Sequence, residues 1–402
     1  MKRALGFLVL AVIALTACQS KKAETNFIEE NTQFAADQIN LEFKKMDSLG
    51  VILNPRTLHR DGTVRYNKPR LWTSGFFPGS LWYLYELTGD EKWKQRAEKL
   101  TKTIESQQFT TSNHDVGFII YCSFGNGYRL ANIPEYKQVI INAAKSLSTR
   151  FRPQVGCIQS WGVTNGWPSK RGWQCPVIID NMMNLELLFE ASKLSGDDSF
   201  RDIAIKHADT TIKNHYRKDY SSFHVVDYDS ITGAARNGVT AQGFADESAW
   251  ARGQAWGLYG YTMCYRETKD PKYLEQAERI AEFMLNHPRL PKDMVPYWDY
   301  DCTDIPNTYR DASAAAVTTS ALYELCTYVE GVDAKKYKDA ANKILSSLAS
   351  PSYRAKLGEN HNFILMHSVG SIPHNNEIDV PLNYADYYFL EALVRKRELD
   401  KK

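Results

Sequence analysis

The 402 residues predict an all-α fold, a single (α/α)6 barrel. One observation behind this is a recurring stripe: an aromatic residue followed by apolar or small residues at +4, +7 or +8, and +11. That spacing follows one face of an amphipathic helix. A second is that each such helix alternates with a segment that is apolar on most faces, as a buried helix is. The third is that the alternation occurs six times, which a ring of inner helices sheathed by outer ones satisfies. Strand patterning is confined to short stretches near Phe223–Tyr228 and Tyr297–Tyr300.

The chain begins with Lys2-Arg3 and an apolar stretch from Leu5 to Ala14, too short to span a bilayer. Leu15-Thr16-Ala17-Cys18 then places small residues before a lone cysteine, the pattern of a bacterial lipobox. Residues 1–17 are expected to be a lipoprotein signal peptide and 18–25 a tether with lipidated Cys18. Residues 26–402 form the barrel domain. Gln19-Ser20 has no aspartate of the kind linked to inner-membrane retention, and Lys21-Lys22 begins no acidic run linked to surface export. The expected location is the outer membrane, facing the periplasm, with contact through the lipid anchor alone.

The first polar helix covers about Phe27 to Leu49, and a buried segment follows at 73–88. Trp93 leads the second polar helix through Ala97, Leu100 and Ile104; segment 116–130 is buried. Tyr136 leads the third through Ile140, Ala143 and Leu147, ahead of the buried segment 177–195. Phe200, Tyr273 and Tyr337 lead the last three, which alternate with buried segments 248–268, 311–329 and 380–396. Gly89-Asp90, Gly196-Asp197 and Asp270-Pro271 supply stop and start signals between them.

Net charge is +2, from 49 basic and 47 acidic side chains, so no global field favours nucleic acid. Nine Trp and 23 Tyr suit a sugar cleft or a large helical core equally. Beyond Cys18 six cysteines remain, none in a CxxC pair, so metal-ligand spacing is absent.

Two aspartates sit inside apolar runs: Asp115 in His114-Asp115-Val116-Gly117-Phe118, and Asp180 in Ile178-Ile179-Asp180-Asn181-Met182. A buried carboxylate must be paired, hydrogen-bonded or protonated. A carboxyl with a raised pKa suits general-acid chemistry near neutral pH. The plainer reading is that each caps a helix N-terminus. Both lie at the connections of the inner segments, where such a ring opens into a pocket. Arg252 and Trp256 are four residues apart and share a helix face there. Arg252 offers a planar fork for a carboxylate, or a structural partner for Asp246 or Glu247. Asp246 and Glu247 could otherwise cap the fourth inner helix. Trp256 and Trp72 could stack on a sugar ring or belong to the core. His224 lies just ahead of this region. Asp379 could cap the last inner helix, and Asp386 could be a satisfied core acid.

Five stretches in series resemble the unsaturated glucuronyl hydrolase family: Trp72 to Gly79, His114 to Phe118, Asp180 to Asn184, Gln242 to Trp256, and Asp379 to Leu390. The resemblance implies the same (α/α)6 barrel and a glycoside hydrolase acting on 4,5-unsaturated uronyl oligosaccharides left by polysaccharide lyases. Its chemistry is hydration of the C4=C5 enol ether. Asp180 would be proton donor and base, and Asp115 would hold the uronate hydroxyls and tune Asp180. His224 and Gln242 would contact the unsaturated sugar, Arg252 its uronate side, and Trp256 or Trp72 would stack. No metal or organic cofactor is implied. Some members that favour 6-sulfated disaccharides resemble one another in a Ser-x-x-Ser-x-Lys loop. Here Ser368 and Ser371 are present, but Pro373 stands at the lysine position, and only His367 or His374 could partly substitute. A pectin-directed rhamnogalacturonyl hydrolase of the same barrel, a sugar epimerase and a non-catalytic glycan-binding lipoprotein are the competing readings. The polysaccharide, its sulfation and the oligomeric state stay open.

Overall fold

The computed structural model describes residues 2–401, with side chains from residue 26 onward. The lipobox and Cys18 therefore lie outside the residues whose side chains are described. The outer helices are α1 (Lys2–Leu49), α3 (Glu91–Lys102), α6 (Pro134–Ser148), α8 (Asp198–His215), α10 (Pro271–Asn286) and α12 (Gly331–Leu348). Between them run inner helices α2 (Phe76–Thr88), α7 (Leu185–Ser195), α9 (Ala251–Thr268), α11 (Ala312–Leu325) and α13 (Asn383–Lys401). The second inner position is a broken helix, α4 (Val116–Ile120) and α5 (Asn126–Ala131), joined through a π turn at Tyr121–Gly125. The inner set packs side by side from α2 round to α13, and α13 packs back on α2, so the ring closes. This is the predicted (α/α)6 barrel.

The outer stripes are buried as the periodicity requires. Trp93, Ala97 and Leu100 on α3, and Tyr273, Ala277, Ile280 and Met284 on α10, lie in one continuous core. The turn signals act as predicted. Asp90, Asp197 and Asp270 cap α3, α8 and α10 by accepting backbone N–H bonds from Lys92, Ser199 and Lys272 at 2.9–3.1 Å. Gly89 and Gly196 end α2 and α7 in the left-handed conformation (φ 68° and 74°), where glycine carries no steric penalty. Gly117 matters for another reason: a Cβ there would stand 2.4 Å from Asn184 Oδ1, and that oxygen accepts the Phe118 N–H at 3.0 Å. The second and third inner segments, which carry Asp115 and Asp180, are thereby held in close register.

Four small antiparallel sheets decorate the ring: β1 (Pro55–Leu58) with β2 (Val64–Tyr66), β3 (Phe151–Arg152) with β4 (Cys157–Ile158), β5 (Cys175–Ile178) with β6 (Val225–Tyr228) and β7 (Ala235–Val239), and β8 (Ser368–Ser371) with β9 (Asn376–Val380). The predicted helix over 177–195 needs correcting. Its first residues are strand β5, a 3-10 turn covers Ile179–Asn184, and α7 begins only at Leu185. A short apolar run rich in β-branched residues suits a buried strand as well as a helix, and pairing with β6 decides the matter. Around Tyr297–Tyr300 there are only isolated bridges, Tyr297 to Arg310 and Asp299 to Trp250. The described cysteines, 122, 157, 175, 264, 302 and 326, are all free and buried.

Candidate active site

The inner helices present their N-terminal ends to one mouth of the ring. Trp72 precedes α2, Asp115 precedes α4, Asp180 lies in the turn before α7, Arg252 is in the first turn of α9, and Asp311 precedes α11. The positive ends of several helix dipoles therefore face one place, which favours an anionic ligand.

Neither aspartate is a cap. Asp115 stands at the N-cap position of α4 with no side-chain cap bond, and the Asp180 segment shows none either. Burial pushes the Asp180 carboxyl up to about 7; Arg252 opposes the shift and Asp115 adds to it. Burial likewise pushes Asp115 up to about 7 against the pull of Arg150. Their side chains keep 11% and 19% of their surface exposed, so both open on the cleft. Two carboxyls that sense one another titrate as a pair.

His224 has a defined protonation state. Its Nδ1 accepts the backbone N–H bonds of Ala241 and Gln242 at 3.0 and 3.1 Å, so its proton resides on Nε2. Nε2 lies 3.6 Å from Asp180 Oδ2. Burial first, then the Arg252 charge, holds the imidazole well below its usual pKa, so it is neutral. His114 is also neutral, pushed down to about 3 by burial, with Nε2 3.4 Å from Asp115 Oδ1. Each aspartate thus has a buried neutral imidazole beside it.

Arg252 does not pair with Asp246 or Glu247. Its Nη1 bonds Asp311 Oδ2 at 3.1 Å and the Val369 carbonyl, and its Nη2 donates to the Gly370 carbonyl at 2.6 Å. The guanidinium packs 4.5 Å over the Trp250 ring. It thereby ties strand β8, with Ser368 and Ser371, to the mouth of the ring. Asp246 instead accepts the Thr240 N–H at 2.8 Å, Glu247 is exposed, and neither caps α9, whose N-cap residue is Trp250. Trp256 is wholly buried against Phe118 and Tyr388, with its indole N–H directed at Asp180, so its ring faces are not free to stack on a sugar. Trp72 is half-buried, 5.0 Å from Tyr384 and 5.4 Å from Phe118. Asp379 pairs with His367 at 2.7 Å instead of capping α13, while Asp386 accepts the Ile364 and Leu365 N–H bonds in the core.

Buried polar atoms without a hydrogen-bond partner among the described residues gather here: Asp180 Oδ2, His224 Nε2, Trp256 Nε1, Arg252 Nε, Gln242 Oε1 and Ser368 Oγ. Buried polar groups ordinarily find partners, so this concentration marks a surface built for a polar ligand. A cavity of about 480 Å³ at the opposite end of the ring is different: Glu324 bonds Arg266, and Glu391 bonds Tyr83 and Tyr259, within the protein. Sequence reasoning missed Asp311, Trp250 and Arg150. Asp311 carried a signal, because it stands before a run of small helix formers and its Oδ1 accepts the Ser313 N–H at 3.0 Å.

The model of Glycosyl Hydrolase Family 88 matches residues 51–388. The chain belongs to that family. It is 48% identical to an unsaturated glucuronyl hydrolase of Formosa agariphila, over 99% of each chain. It is 36% identical to an unsaturated chondroitin disaccharide hydrolase of Streptococcus agalactiae, over 81% of each. A crystal structure of an unsaturated glucuronyl hydrolase specific for heparin superposes with a TM-score of 0.88 at 48% identity, covering 94% of this chain and 98% of that one.

Proposed function

We propose that this family 88 enzyme removes the 4,5-unsaturated uronic acid from the non-reducing end of glycosaminoglycan-type oligosaccharides released by polysaccharide lyases. The observation that carries this reading is Asp180: a carboxyl held protonated near neutral pH by burial, flanked by a neutral His224 N–H, the Trp256 N–H and a second such carboxyl, Asp115. Relatives named for glucuronyl and chondroitin substrates favour it over a pectin-directed hydrolase.

The chemistry follows from that arrangement. Protonated Asp180 delivers its proton to C4 of the enol ether, and positive charge develops at C5, shared with the ring oxygen. The aspartate so formed takes a proton from a water molecule as that water adds at C5, which returns Asp180 to its acid form. The hemiketal opens and releases the leaving sugar, with no attack at the anomeric carbon. The His224 and Trp256 N–H groups support the transient carboxylate. The helix N-termini and Arg252 favour the substrate carboxylate, while Asp115 and Gln242 offer acceptors for sugar hydroxyls. The conjugated enol ether absorbs in the ultraviolet, and hydration destroys that absorbance. Purified protein should therefore bleach unsaturated disaccharides of chondroitin, hyaluronan or heparin origin; no bleaching of any by folded protein would refute the reading.

Lipidation of Cys18 belongs to the same proposal and rests on the Leu15-Thr16-Ala17-Cys18 pattern. Anchored on the periplasmic side of the outer membrane, the enzyme would meet oligosaccharides after their import across that membrane. Among the described residues no helix is long and apolar enough to cross a membrane. The protein should incorporate labelled palmitate and fractionate with outer membranes, and Cys18→Ser should release it. An unlabelled, soluble wild type would refute the anchor.

A further inference from the structure

The loop between β4 and β5, residues 159–174, walls the cleft beside His224. Trp161 stacks on Trp173, with centroids 5.8 Å apart and planes 21° apart, and lies 6.0 Å from the His224 ring. Trp167 touches Trp161 at 4.7 Å and His374 at 5.2 Å. His374 in turn shares a 2.8 Å hydrogen bond with Ser371, on the strand that Arg252 ties down. These contacts make a continuous rim from the catalytic centre to the tip of the β8–β9 hairpin.

Arg171 sits on this rim. Its guanidinium packs 4.8 Å over Trp173, and Nη2 donates to the Thr240 carbonyl at 2.7 Å, just before the Ala241 and Gln242 N–H groups that hold His224. The side chain is exposed, and among the described residues it makes no ion pair. A guanidinium has five N–H donors, so most of its fork is uncommitted. Its charge acts on both His374 and His224. The segment Ser368-Val369-Gly370-Ser371-Ile372-Pro373 itself offers no cation, since proline ends it.

We infer that Arg171 is a specificity-determining residue that grips a sulfate on the leaving sugar, its fork aimed by Trp173 and the Thr240 carbonyl. The inference rests on the hydrolase reading above and deepens it: the preferred substrates are those whose leaving sugar is sulfated. A planar fork matches two oxygens of a sulfate as it matches a carboxylate or phosphate. An arginine from the aromatic loop thus supplies the charge that the proline-ended hairpin lacks.

The experiment compares kcat/KM on two unsaturated disaccharides that differ only in a sulfate on the leaving sugar. In wild type the sulfated one should be preferred, and added salt should erode the preference. Arg171→Ala should lower the sulfated-to-unsulfated ratio about tenfold or more, the scale of one charge-assisted hydrogen bond. Arg171→Lys should fall between, keeping the charge without the fork. An unchanged ratio in Arg171→Ala, or an equal loss on both substrates, would overturn the inference and leave the hydrolase reading standing. A wild type that turns over neither disaccharide would overturn the hydrolase reading, and the inference with it.

Discussion

Asp180→Asn should abolish nearly all turnover, by about 10³-fold or more, while substrate still binds. The amide keeps the shape of the carboxyl but has no proton to give to C4 and no basicity to take one from water, and general acid–base catalysis alone contributes about 10²–10⁴-fold. The wild-type pH profile should identify the same group. Asp180 acts first as an acid, and burial holds its carboxyl up at about 7. Activity should therefore be high below that value and decline as pH rises through it, with an apparent pKa that belongs to the Asp180–Asp115 pair. Stability should move in the opposite sense in the variant. A carboxyl whose folded pKa exceeds its unfolded value of 3.8 stabilises least when ionised, so wild type loses stability as pH climbs from 3.8 through about 7. The loss is on the order of 4 kcal/mol for a shift of this size. Asp180→Asn escapes it and should melt above wild type at pH 8. Wild-type-like turnover in the variant would refute the assignment; a melting temperature unchanged at pH 8 would refute the strained-acid account while leaving catalysis untouched.

What the sequence disclosed and what it hid follow a physical rule. The helices were legible because their cores are local: Trp93, Ala97 and Leu100 repeat with the helix period and land on one buried face. Asp115 and Asp180 stood out because a carboxyl inside an apolar run is costly wherever the chain goes. Long-range pairings left no such trace. Arg252 finds Asp311 and strand β8, 59 and more residues away, although Asp246 and Glu247 lie nearer in sequence. The strand at Cys175–Ile178 was hidden because its pairing partner β6 begins 47 residues later, at Val225. The tryptophans of the 159–174 loop follow no period, so only the folded chain shows Trp161 beside His224. Trp256 satisfied the spacing for a cleft residue, but its N–H, not its face, meets the site.

That hidden pairing makes Arg252→Ala the second large effect. The guanidinium is 2% exposed and holds an Asp311 carboxylate that is fully buried, together with two carbonyls of β8. Removing one partner of a buried ion pair leaves the other charge uncompensated, at a cost of about 3–5 kcal/mol. Strand β8 would lose its tie to α9, so Ser368 and Ser371 would no longer be held at the cleft. Urea denaturation should show the loss, and KM for unsaturated disaccharides should rise steeply. Stability and affinity could both fall through simple loosening, so the deciding measurement is the pH profile. Arg252 is the strongest influence holding Asp180 down. Without it the Asp180 carboxyl should titrate higher still, and the alkaline limb of the residual activity should move to higher pH. Arg252→Lys restores a charge without the fork. It should return that limb most of the way toward wild type while recovering stability only in part, because a single ammonium cannot reach Asp311, Val369 and Gly370 together. An alkaline limb that stays put in Arg252→Ala would confine Arg252 to bracing β8 and remove it from the electrostatics of the reacting acid.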